Sequence, residues 1–237
     1  FAFPHEVSSV VFFMDTEIKY ENHFIEISKS HKKNHSALFI GKYLKPLRVK
    51  YHDHVTEIAV NFSTTGINYF FEKYLNHISA SAIQMLDIDQ LQEFLVELFA
   101  LNKKERIPAV EQFFEKRFIQ KDLRLIEKII DEVEQNKLIK FKDISNLFNI
   151  STRNINRMFH KYVGCSPKDY KKITRFRSAL KDYNNKDFNL TEMCLNNDYY
   201  DSPHFIKEFK KLTNLTPKNY FKQLTFQSQE EFPYIFR

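Results

Sequence analysis

The sequence predicts an α+β chain. An amino-terminal antiparallel, β-rich and barrel-like half is closed by helices, and an all-α carboxyl-terminal half carries two helix-turn-helix units. Three observations predict it. Apolar residues between Val7 and about Phe71 recur mostly at every second position, whereas those after Asp87 recur at helical spacing. The segment Phe141–Tyr220 repeats itself. The charge is split: residues 140–225 hold 17 Lys and Arg against 8 Asp and Glu, and the remainder holds 19 against 22.

The 237 residues suffice for one large or two ordinary domains, and 43% hydrophobic content is that of a globular chain. The expected division is 1–119, 120–225 and a tail of 226–237. With only 3 glycines and no Trp, a phosphate-cradling Gly-rich loop has almost nothing to be built from. Cys165 and Cys194 are too few for a disulfide framework and lack the CxxC spacing of a zinc site. The apolar run Val10–Met14 is far too short to span a membrane, and the longer apolar core of a signal peptide is missing, so the expected location is the cytoplasm. The numbered sequence begins at Phe1 instead of Met, as a chain lacking some native amino-terminal residues would.

In the front half, Leu47, Val49 and Tyr51 alternate with Arg48 and Lys50, and Ile58, Val60 and Phe62 with Ala59 and Asn61. Half-buried strands have this pattern. Breaks fall at Lys32–Ser36, Lys45-Pro46, His52–His54 and Ser63–Gly66. Two helices follow, one on Leu91, Phe94, Leu95, Leu98 and Phe99, the other on Val110, Phe113, Phe114 and Phe118. Asp89 is the expected cap of the first, and Pro108 is expected near the first turn of the second. Their apolar stripes either cover the sheet or form a homodimer interface. His52-Asp53-His54-Val55-Thr56-Glu57 has the donor types of a metal site. Its spacing is short and it lacks flanking glycines, so a polar turn is expected and no metal is assigned. The histidines at 5, 23, 31, 35 and 77 receive no role.

In the back half, Lys121–Lys137 reads as an amphipathic helix with Leu125, Ile126, Ile129, Ile130 and Val133 on one face. Phe141–Phe148 follows, with Ile144, Leu147 and Phe148 inward and Ser145 small enough for a close helix approach. Asn149-Ile150 makes the turn, and Ser151 caps the next helix. Within Ser151–Tyr162, Ile155, Met158 and Phe159 form the buried side and Thr152, Arg153, Asn156 and Arg157 the exposed one. Arg can donate two hydrogen bonds to guanine, and Asn can pair with adenine. Asp143-Ile144-Ser145 recurs as Glu192-Met193-Cys194, Phe159 as Phe209, and Ser166-Pro167-Lys168 with Tyr170 as Thr216-Pro217-Lys218 with Tyr220. The first match is offset by 49 residues and the others by 50. A unit used twice in a basic segment points to double-stranded DNA.

Further residues carry a family likeness. They are Asp143-Ile144-Ser145, Ser151-x-Arg153-x-Ile155-x-Arg157-x-Phe159, Gly164-x-Ser166-Pro167-x-x-Tyr170 and Arg175-Phe176-x-x-Ala179. The second unit adds Leu190-x-Glu192-Met193-Cys194, Asp198-Tyr199-x-Asp201, Phe205-x-Lys207-x-Phe209-Lys210 and Thr216-Pro217-x-x-Tyr220. Over Lys142–Lys222 the chain resembles the AraC/XylS-type DNA-binding domain of bacterial transcription activators. Two departures stand out. Asp198-Tyr199 replaces the usual Gly-Phe, where a left-handed backbone is expected, and Lys207 replaces an Arg and loses its planar fork. The front half resembles, more weakly, the sensor-like domain of such regulators, through the Pro46 segment, Ile58-x-Val60-x-Phe62 and the helix at Asp87–Leu98.

The resemblance implies seven helices, with a central one at Lys168–Tyr183 holding two recognition helices in successive major grooves, about 34 Å apart. It implies base contacts from Arg153, Asn156 and Arg157 in the first unit and from Ser202, His204 and Lys207 in the second. Pro203 shares that face but donates nothing. Ser151, Thr152, Lys168, Lys171, Lys172, Lys218 and Lys222 are the implied phosphate partners, while Asp201 is read as an N-cap. Expected partners are promoter DNA, RNA polymerase, a small-molecule effector in the front domain and a second copy of the chain, with no membrane. No catalytic residues and no cofactor are expected. A non-specific architectural DNA binder is the alternative reading, and a metal-dependent barrel enzyme with a DNA-binding domain is a more distant one. A DNA-repair alkyl-transfer protein would need a cysteine in the front half, and none is there. The tail from Phe226 to Arg237, with Phe226, Phe232, Tyr234 and Phe236, is expected to pack back on the body.

Overall fold

A computed structural model describes residues 1–32, 34–71, 82–136, 138–183, 190–197, 199 and 201–223. The aromatic tail and Asp198 lie outside them. Among the described residues the front half holds seven strands: β1 (Ser8–Met14), β2 (Thr16–Glu21), β3 (Phe24–Lys29), β4 (Ser36–Ile40), β5 (Arg48–Tyr51), β6 (Thr56–Phe62) and β7 (Ile83–Met85). They form an antiparallel sheet in the order β6-β1-β4-β7 and a second sheet in the order β2-β3-β5. The expectation of antiparallel pairing holds except between β3 and β5, which run parallel.

Strand β1 lies inside its sheet and is covered on both faces, hence the unbroken apolar run. Val10 and Phe12 point to one core, with Phe39, Phe62 and the following helices. Val11 and Phe13 point to another, with Leu38 of the neighbouring β4, Ile25 and Ile27 of the second sheet, and Leu47 just before β5.

Helices α1 (Leu91–Ala100) and α2 (Lys103–Glu115) close the first core, where Phe94 stacks on Phe113 at 3.8 Å between ring centroids. Two expectations are corrected here. Gln90, with φ 61°, occupies the N-cap position of α1 without a side-chain bond, and Asp89 instead offers its carbonyl to Arg117 Nη2 at 2.7 Å. Helix α2 begins at Lys103, because the Asn102 side chain accepts from the N–H groups of Lys104 and Glu105. Pro108 therefore lies inside the helix. Phe118, expected on the stripe, lies beyond the helix end and is 57% exposed.

The back half holds α3 (Arg124–Gln135), α4 (Phe141–Leu147), α5 (Thr152–Tyr162), α6 (Pro167–Lys181), α7 (Leu190–Asn196), α8 (Ser202–Thr213) and α9 (Pro217–Gln223). Seven helices are thus present among the described residues, as expected. Leu125 and Leu147 do not face inward; they are 40% and 60% exposed. At 100° per residue the α3 stripe of Ile126, Ile129, Ile130 and Val133 extends backward to Leu123, which is buried, and leaves Leu125 at its edge. In α4 the inward place after Ile144 goes to Phe148, one turn on. Ser166 caps α6 through Asp169 N–H, and Pro167 takes the first turn, where its missing N–H costs nothing. No helix among the described residues is long and apolar enough to cross a membrane.

The front half touches both helical units. Thr64 Oγ1 lies 2.9 Å from the Tyr170 hydroxyl, Thr65 Oγ1 and Tyr69 Oη donate to Glu127, and Asn68 Nδ2 donates to Tyr162 O. On the second unit Phe3 meets Tyr220 edge-on at 4.8 Å, within a core shared with Phe1 and Leu44.

Candidate nucleic-acid interface

In the first unit α4 and α5 are joined by a turn that local chemistry dictates. Asn149 adopts φ 51°, a left-handed conformation that Asn tolerates. Ser145 Oγ donates to Ile150 O at 2.6 Å, so the small side chain ties the turn as well as allowing close packing. Ser151 Oγ accepts from Asn154 N–H at 3.2 Å, the expected cap. Ile155 and Phe159 are fully buried and Met158 half-buried, which turns Thr152, Arg153, Asn156 and Arg157 to solvent together. His160 and Lys161 are exposed on the same helix. Neither is among the residues expected from the sequence, although their place in the last turn, favourable for cations, is legible there.

The second unit is built alike but offers different chemistry. Asp201 Oδ1 accepts from His204 N–H at 2.7 Å, so this carboxylate caps α8, as expected. Pro203, His204 and Lys207 are exposed. Ser202 is half-buried, with its hydroxyl 3.7 Å from Cys194 Sγ, and so faces α7. Lys210 and Lys211 extend the exposed basic face one turn beyond Lys207; Lys211 was not foreseen. Asn197 is also new: fully buried, it donates to Asp182 Oδ2 at 2.8 Å and Met193 O at 3.0 Å, fixing the end of α7 against the end of α6.

Helices α5 and α8 end in the same way. Gly164 (φ 85°) follows α5 and Asn214 (φ 60°) follows α8, at the 50-residue offset of the repeat. Two left-handed residues thus stop the two helices, a match the sequence hid because one is Gly and the other Asn.

Among the implied phosphate partners, Ser151, Thr152, Lys168, Lys218 and Lys222 are exposed. Lys171 and Lys172 are half-buried and engaged: Lys171 Nζ donates to Ile139 O at 2.6 Å, and Lys172 Nζ pairs with Asp169 Oδ1 at 2.6 Å. A phosphate would have to displace those partners. His52, expected in a polar turn, lies 3.3 Å from Glu26 Oε1, Asp53 Oδ2 accepts from Lys29 N–H, and His54 is exposed.

The front half encloses a cavity of about 160 Å³ between its sheets. Apolar residues of both sheets line most of it. His5, Tyr43, Tyr51, Glu57 and Arg177 add polar groups, and Arg177 reaches in from α6. Burial, with Arg177, Lys42 and Lys181 nearby, drives the His5 pKa down to about 2, so this imidazole is neutral. Beside the cavity Lys42 is buried and donates to Ser8 Oγ at 2.9 Å; burial lowers its pKa to about 8.

Residues 144–223 match the family model described as a helix-turn-helix domain. A probable transcription factor, PqrA from Proteus vulgaris, is 27% identical over 89 residues, which make up 38% of this chain and 73% of that protein. A 1.65 Å structure of ToxT from Vibrio cholerae superimposes with a TM-score of 0.54 at 16% identity, over 95% of this chain and 94% of that one. Wild-type ToxT of strain SCE256 with an unsaturated fatty acid bound gives 0.50 at 12% identity, over 97% and 91%. The fold is thus that of ToxT, a β-rich front domain followed by a helical one, and over residues 144–223 the chain carries an AraC-type helix-turn-helix domain, the DNA-binding module of a family of transcription regulators.

Proposed function

We propose that this chain is a cytoplasmic bacterial transcription regulator that reads two successive major grooves of promoter DNA and acts on RNA polymerase from there. Residues 120–225 form its DNA-binding part and residues 1–119 its sensor and dimerisation part. The carrying observation is the outward, unobstructed face of Thr152, Arg153, Asn156 and Arg157 on a helix whose other face is locked into the core. Exposed Arg and Asn on one helix face have the donor and acceptor sets that base edges present in the major groove. The exposed lysines supply the salt-dependent attraction to phosphate. In the second unit His204 and Lys207 are the base-facing groups, Pro203 offers none, and Lys210 and Lys211 grip the backbone.

The test is selection of duplexes from a randomised pool by the full chain, followed by binding titrations with Arg157→Ala. Loss of discrimination by about 1–3 kcal/mol at one base position is expected. Equal loss on every sequence would make Arg157 a phosphate contact, and failure to enrich any sequence would favour an architectural DNA binder.

The cavity is the proposed effector site. Its apolar walls and the Arg177 guanidinium suit an apolar carboxylic acid, the class represented by the fatty acid bound to ToxT. Calorimetric titration of the full chain with a medium-length fatty acid checks it, and unchanged heat with Arg177→Ala as with the native residue would refute the assignment.

A further inference from the structure

Among the described residues, helix α8 is held to α6 by a directional contact that its counterpart lacks. Arg175 Nη2 lies 2.7 Å from Glu208 Oε1 and 2.8 Å from Oε2, and both side chains are almost wholly enclosed, at 14% and 9% exposure. The same guanidinium lies over the Tyr199 ring, 4.8 Å from its centroid. Tyr199 in turn packs on Phe205 of α8 at 4.8 Å. Other contacts between α8 and its surroundings include ring packings, such as Phe209 on Phe176 at 5.2 Å. Apolar packing resists separation but has little directional preference, whereas an Arg–carboxylate fork fixes orientation.

The direction matters because of where Glu208 sits. It follows Lys207, so the two side chains leave α8 about 100° apart around its axis. His204, Lys207 and Lys211 share the outer face by their spacing of three and four, and Glu208 shares the inner face with Phe205 and Leu212. Anchoring Glu208 therefore fixes the angle at which the basic face is presented. At the 50-residue offset of the repeat, the first unit has Leu125 and Met158 where the second has Arg175 and Glu208. Leu125 is 40% exposed and Met158 packs on the apolar core, so α5 has no charged brace there.

We propose that Arg175 and Glu208, with Tyr199 beneath them, are positioning residues that set the rotational pose of the second recognition helix and thereby the half-site spacing that the protein accepts. The second helix needs this more than the first. Its outer face offers a point-charge lysine and a histidine instead of arginine forks, so its contribution depends on arriving at the right angle. This rests on the two-groove reading above.

The test uses full-length chain and a duplex selected by the native protein from a randomised pool, together with derivatives carrying one base pair inserted between the half-sites. The double variant Arg175→Leu/Glu208→Met copies the first unit's residues and keeps the site filled, and replacing a buried ion pair by apolar groups commonly leaves folding intact. The native protein is expected to lose about tenfold in affinity on the insertion, and the double variant about threefold or less. Both should melt at similar temperatures, so that the changed spacing preference is not a folding defect. Glu208→Gln should show the same relaxation, and the reversed pair Arg175→Glu/Glu208→Arg should restore part of the native discrimination. A folded double variant that discriminates spacing as the native protein does would overturn the assignment. If the native protein is itself indifferent to the insertion, the two-groove reading fails instead.

Discussion

The hydroxyls of Thr64 and Tyr170 meet at 2.9 Å across 106 residues of sequence, joining the front domain to the core of the first helix-turn-helix unit. Tyr170 also donates to Glu134 Oε1. Its equivalent in the second unit, Tyr220, is as deeply buried, but its hydroxyl has no hydrogen-bond partner among the described residues.

The two tyrosines should therefore respond oppositely to loss of oxygen. Tyr170→Phe leaves Glu134 and Thr64 without their partner and should destabilise by about 1–3 kcal/mol. Tyr220→Phe removes a polar atom that nothing satisfies and should be neutral or mildly stabilising. Urea unfolding of both variants checks this, and equal effects would contradict the bonding described.

Gly164 and Asn214 should show that the two helix stops are the same device. Asn214→Gly relieves a side chain from a left-handed backbone and is expected to stabilise by about 0.5–1 kcal/mol, whereas Gly164→Ala is expected to cost at least as much. Thermal melting of the two single variants decides it. A destabilised Asn214→Gly protein would mean that the Asn side chain contributes more than its backbone strain costs.

Lys42 should make stability depend on pH in a defined direction. Burial lowers its pKa from an ordinary 10.5 to about 8, with Cys165 and Glu6 facing it and His5 held neutral nearby. Below pH 8 the folded protein carries a buried ammonium that the unfolded chain would solvate, a penalty on the order of 3 kcal/mol. Between about pH 8 and 10 the unfolded chain holds more protons, so this group makes native stability rise with pH. Lys42→Met should thus be more stable than the native protein at pH 7, with the advantage vanishing near pH 10. Denaturation curves that stay parallel across this range would show that the ammonium is not penalised.

Much of the site was legible because it depends on local order. The repeat, the caps at Ser151 and Asp201, and the outward set Arg153, Asn156 and Arg157 follow from spacing and side-chain chemistry within a dozen residues. Leu125 and Leu147 were misread because hydrophobicity says that a residue can be buried, not that a neighbouring element will cover it. Pro108 misled for a similar reason: the stronger start signal was Asn102, whose bonds to two N–H groups set the helix origin further upstream.

The sequence by itself determined a β-rich front half, a duplicated basic helical half and the identity of the exposed side chains of α5. Only the tertiary structure decided that β3 and β5 run parallel, that Lys171 and Lys172 are engaged, and that Arg175 grips Glu208. It also brought Thr64 to Tyr170 and Arg177 to the front cavity. The physical reason is range: periodicity and capping act within a few turns of chain, whereas hydrogen bonds and ion pairs between distant segments exist only after packing has fixed both partners.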